Sequence, residues 1–72
     1  MPLQHYENLF RRYKGQMVIV KTMSGGLYEG RVGEITNDFV ELIENKDHET
    51  AHVFLLFQAI ESVLVPNHPA GS

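Results

Sequence analysis

His48 and His52 stand four residues apart, with Asp47 and Glu49 on either side of the first. On a helix that spacing turns two imidazoles to one side, as a zinc site requires. The surrounding residues, Asn45 to Thr50 (NKDHET), read instead as a polar loop running into a strand. The two rings are then not brought together, and no metal is expected. The chain has no cysteine, which removes thiolate chemistry and a disulfide framework. His5 and His68 lie near the two ends. All four histidines would still make the net charge sensitive to mild acid.

No other set of side chains suggests catalysis. Ser24 and Ser62 lack a His–Asp setting, and Gly25-Gly26 lacks the following lysine and helix of a phosphate loop. Glu29, Glu34, Asp38, Glu41 and Glu44 fall on or beside expected strands, where they would decorate the solvent face. Neither a catalytic residue nor a cofactor is expected.

Nucleic-acid binding normally needs clustered cations to neutralise phosphates. The six basic and nine acidic side chains give −3 with neutral histidines. Residues 1–36 carry five basic and three acidic side chains, a net of +2, whereas residues 37–72 carry one and six, a net of −5. The basic patch is small: Arg11, Arg12 and Lys14, with Lys21 a candidate addition. These also suit a helix end, where cations complement the dipole. Phe39 is a candidate for stacking on bases, as is Phe57, although core or interface positions suit them better. Asn37 and Asp38 are the expected residues of a turn, and with Gln58 they complete the candidate ligand-contacting set.

The elements that must position these residues follow from spacing. Leu3, Tyr6, Leu9, Phe10 and Tyr13 make one apolar stripe at helical period, so a helix is predicted over about residues 3–14, with Pro2 suiting its start and Gly15 its stop. The rest reads as five strands: about 16–22, 27–35, 39–44, 52–57 and 62–65. Gly25 and Gly26 supply a tight hairpin, and Gly30 and Gly33 inside the second strand signal a bulge or sharp bend. One domain over residues 1–66 is expected, followed by a loose tail at 67–72. A sheet of this size leaves long edges, and a small, strongly bent five-stranded barrel behind an N-terminal helix would remove them. Such a barrel has no internal room for a substrate. No apolar run approaches 18 residues, so no membrane span is expected. No basic stretch leads into an apolar one at the start, so no cleaved leader is expected, and a cytoplasmic setting is the default.

Val53 to Phe57 (VFLLF) is apolar without interruption, and Val63 to Val65 repeats the pattern. A strand with one wet face should alternate, so both strands call for cover on two faces. One helix cannot supply that. A homo-oligomer is therefore expected, with the fourth strand of one copy beside the fifth of the next and with Val53, Leu55, Phe57, Val63 and Val65 at the interface. Such a heterologous contact closes into a ring if the rotation permits.

These residues resemble the Sm/LSm family of small SH3-like barrels. The family places one glycine in the hairpin before the second strand and another five residues later, as Gly25 and Gly30 stand within VIVKTMSGGLYEGRVGEI. FVELI, VFLLF and SVLV follow as the remaining strands, so the likeness spans about residues 3–66. The resemblance implies a ring in which the Asn37–Asp38 turn faces the central opening. Where RNA-binding members carry Asp and Asn, this chain has Thr36 and Val40. The Arg-Gly pair before the last strand is replaced by Phe57-Gln58-Ala59, and the Tyr-Lys-His signature of the bacterial Sm-like RNA chaperone is missing. A closer likeness is to short Sm-like proteins of spore-forming Firmicutes and to repeated modules of a spore coat protein, through Phe10, Gly15, Val18, Val20, Gly30-Arg31-Val32 and Asp38. It implies a scaffold in a spore or envelope setting. The expected function is therefore a non-enzymatic oligomeric binding or scaffold module, with an RNA-binding ring as the alternative.

Overall fold

A computed structural model describes residues 4–66. The predicted helix start at Leu3, the tail at 67–72 and His68 lie outside the described residues. Helix α1 runs over Gln4–Arg12 and is followed by β1 (Met17–Thr22), β2 (Leu27–Ile35), β3 (Phe39–Lys46), β4 (Glu49–Leu56), a 3₁₀ turn η1 (Phe57–Ala59) and β5 (Ile60–Leu64). The helix ends earlier than its apolar stripe. Tyr13 and Lys14 donate their amides three residues back, to the Phe10 and Arg11 carbonyls, and Gly15 then donates to the Val32 carbonyl at 2.9 Å. The chain thus leaves the helix by tightening its last turn and docking on β2.

All strand pairs are antiparallel, in the order β4-β3-β2-β1-β5. β4 and β5 are not paired with each other, so the sheet is open where a closed barrel was expected. It is nevertheless strongly curved. Flat, five strands would set β4 and β5 about 19 Å apart, yet only η1 joins them, and three residues of 3₁₀ helix advance about 6 Å. The sheet must curl to bring those two ends together. Register shifts between Lys21 and Thr22 on β1, and between Val32 and Ile35 on β2, mark where it bends. Gly33 lies in the second.

The concave side holds one core drawn from every element: Phe10 of α1, Val18 and Val20 of β1, Val32 and Ile35 of β2, Val40 and Leu42 of β3, Leu55 of β4, Phe57 of η1 and Ile60 of β5. Phe10 and Phe57 stack with ring centres 5.9 Å apart, and Tyr6 leans on both. The Tyr6 hydroxyl reaches the Ile60 carbonyl at 3.4 Å. The helix therefore closes the core over the point where the sheet passes from one edge to the other.

The polar segment 45–50 is not a loop. β3 and β4 continue through it as a hairpin, with Asn45 opposite Thr50 and Lys46 opposite Glu49. Asp47 and His48 alone make the turn, at φ of +51° and +69°, the backbone of a two-residue hairpin connection. Both strands are exposed here, so no apolar alternation marked them. The Met23–Gly26 turn is likewise tight. Gly25 takes φ +96°, and the Thr22 hydroxyl accepts the Gly26 amide at 3.1 Å.

Candidate functional site

On β1, β3 and β4, residues of one parity enter the core and those of the other face outward, whereas on β2 and β5 the inward parity changes at the register shifts, from Val32 to Ile35 and from Ile60 to Val63. Cross-strand partners share a face, so the pairs Leu64–Ile19, Ile19–Glu29, Arg31–Ile43, Ile43–His52, Glu41–Phe54 and Phe39–Leu56 trace one outer surface from edge to edge. Both edge strands are apolar there. Phe54 and Leu56 on β4 are 57% and 49% exposed, and Leu64 on β5 is 61% exposed. The Phe54 ring meets Phe39 edge-on at 5.5 Å, which holds it upright on the surface. Among the described residues neither edge has a further strand paired to it, so each presents backbone groups that are the usual template for strand addition.

The residues expected at the interface divide differently. Leu55 and Phe57 have their side chains in the protomer's own core, 7% and 0% exposed. Val53, Val63 and Val65 pack against that core, half-buried. Their side chains are on the inner face, so a neighbour would meet Phe54, Leu56 and Leu64 instead. The sequence held a signal for this. Polar His52 and Gln58 share parity with Phe54 and Leu56, and Ser62 shares it with Leu64, so the polar flanks mark the outer row.

The candidate ligand residues fall into two groups. Asn37 and Asp38 are exposed in the β2–β3 turn, where the Thr36 hydroxyl accepts the amides of Asp38 and Phe39 at 3.1 and 3.0 Å. The Phe57 amide donates to the Asp38 carbonyl at 2.9 Å. That bond brings Asn37, Asp38, Phe39 and the exposed Gln58 to one corner of the fold. Arg11, Arg12 and Lys14 sit at the helix end instead. Among the described residues no hydrogen bond or ion pair ties them to that corner, and Arg11 is already paired with Glu7 at 2.8 Å. Lys21 pairs with Glu61 at 3.5 Å.

Glu41 lies on the outer face, as sequence reasoning placed it, but is largely covered there instead of free in solvent. Its side chain is only 14% exposed. One oxygen, Oε1, accepts the Glu34 amide at 2.9 Å, and the other, Oε2, meets His52 Nδ1 at 2.5 Å. The Glu34 amide, and then the His52 hydrogen bond, hold its carboxyl below the usual range, against a smaller opposing effect of burial. Gly33 leaves room for it, since a Cβ there would lie 2.6 Å from Oε1. Gly30 has a related role, because a Cβ would come within 2.9 Å of the Ile43 carbonyl oxygen.

Beside Gly30 lies a depression of about 220 Å³ lined by Met17, Glu29, Arg31, Ile43, Glu44 and Lys46 among others. Its walls mix two acids with two bases, so they select no one sign of ligand. Among the described residues no three His, Asp or Glu side chains gather as a metal site, and no helix is long and apolar enough to cross a membrane. Compared with known proteins, the chain matches no family model, no curated protein and no solved structure.

Proposed function

We propose that this chain is a non-enzymatic binding or scaffold module that assembles with copies of itself through its two sheet edges. The observation that carries the reading is the pair of open edges, β4 and β5, each exposing apolar side chains on the same outer face. With β5 of one copy beside β4 of the next, Leu64 would join Phe54 and Leu56 in one apolar row, and both sets of edge backbone groups would be paired. The two edges differ, so the contact is head-to-tail and closes into a ring or extends as a filament. The curvature of the sheet and the glycine spacing support an Sm-like barrel as the repeating unit. The same likeness suggests a spore or envelope setting.

Light scattering tests this. The mass should be several times 8.2 kDa, and Phe54→Asp or Leu64→Asp should reduce it to one copy while leaving the circular dichroism spectrum unchanged. A wild-type monomer at high concentration would end the reading.

An RNA-binding ring is the second reading. The convergence of Asn37, Asp38, Phe39 and Gln58 at one corner favours it. Against it, Thr36 spends its hydroxyl on its own turn, and Val40 is fully buried. Neither offers the polar contacts that RNA-binding members have at those places. Retention of an A-rich or U-rich oligonucleotide at physiological salt, lost on Arg12→Ala with Lys14→Ala, would put RNA first.

A further inference from the structure

We propose that the outer-face pair of Glu41 and His52 makes assembly through the β4 edge respond to mild acid, tightening it as His52 takes up a proton. This rests on the edge-to-edge reading above. His52 lies on the edge strand in the same outward row as Phe54 and Leu56. Its ring is half exposed and meets a carboxylate that is fixed independently. The Glu34 amide at the β2 bend holds Glu41 by its other oxygen, and Gly33 gives it space. The carboxylate therefore stays in place whether or not the imidazole is charged.

The charge at the edge then depends on the imidazole, the side chain that ordinarily titrates between pH 5 and 8. With His52 neutral, Glu41 leaves one uncompensated negative charge next to Phe54. The β5 edge that would approach it carries exposed Glu61, whose own partner is Lys21. Each copy is also net negative, at −3. Burying a lone carboxylate between net-negative copies opposes association. With His52 protonated, the pair is neutral overall and held by a charge-assisted hydrogen bond. The other groups facing the ring do not reverse this sign. From β3, Ile43 is directly opposite; from β2, Arg31 stands in the same row beyond Ile43; along β4, Thr50 and Phe54 carry no charge.

The test is self-association followed by sedimentation at pH 8 and pH 5.5. Wild type should associate about tenfold more tightly at the lower pH, within the usual range for coupled sites. His52→Gln and Glu41→Gln should each bring that difference down to the part contributed by overall net charge. His48→Gln, altered in the hairpin turn, should keep most of it. A pH difference as large in His52→Gln as in wild type, or no difference in wild type, overturns the proposal while leaving edge-to-edge assembly standing. Absence of association at every pH overturns both. Circular dichroism at each pH confirms that the protomers compared are folded.

Discussion

The two sides of β4 are built from the same kinds of residue and meet opposite fates. Inward, Val53 and Leu55 lead to Phe57, and the last two are buried in a core that the helix closes. Outward, Phe54 and Leu56 are half exposed and continue toward Leu64 at the other edge of the sheet. Apolar content alone would give both rows the same role. What separates them is what the rest of the chain can reach. One nine-residue helix covers the concave side, and nothing among the described residues lies over the convex one. The inner row belongs to the stability of the protomer, and the outer row is the surface that the proposed assembly would use.

The contrast is broken most directly by charge. Leu55→Asp places a carboxylate in the core and should unfold the protomer, with loss of the β-sheet dichroism signal. Phe54→Asp, one residue away, should leave the fold intact. If both unfold, the outer row is part of the core after all. Truncation gives the next largest effect. Phe57→Ala should cost about 3–5 kcal/mol in urea denaturation, because it empties the space stacked against Phe10. Leu56→Ala should stay within about 0.5 kcal/mol of wild type when measured on the dissociated protein.

A finer test compares the two glycines of β2. Gly30→Ala drives a methyl group against the Ile43 backbone, which cannot step aside, and should cost about 1–3 kcal/mol. Gly33→Ala meets only the ends of the flexible Glu41 and Ile43 side chains, so the cost should be smaller. Its clearer sign is loss of the Glu41 effect on acid stability. Because the Glu41 pKa is lowered in the folded state, its contribution is full above the ordinary carboxylate value of 4.5 and fades as pH falls below it. Stability measured from pH 6 to pH 3 should therefore fall less steeply in Glu41→Gln. An unchanged slope would mean that the carboxylate is not held as the geometry implies.

Much of the architecture was legible in the chain. The apolar stripe from Tyr6 to Tyr13 announced the helix, β-branched runs announced the strands, and the glycines announced the tight turn and the bend. The hairpin at 45–50 was hidden because a strand exposed on both faces carries no alternation to read. The Glu41–His52 pair was hidden for another reason. The residues are eleven apart, and only the β3–β4 register sets one beside the other.

Local order came from the chain itself: period, turn chemistry and the unbroken apolar run are properties of neighbours in sequence, and they specify the helix, the apolar strands and the glycine turn without reference to anything distant. Which face of each strand is inside did not come that way. VFLLF is apolar at both parities, so no local rule chooses between Leu55 and Phe54. Curvature made that choice. The three-residue link between β4 and β5 makes the open sheet curl toward one side, and a surface wrapped inward buries whatever it faces, while the opposite surface spreads and remains exposed.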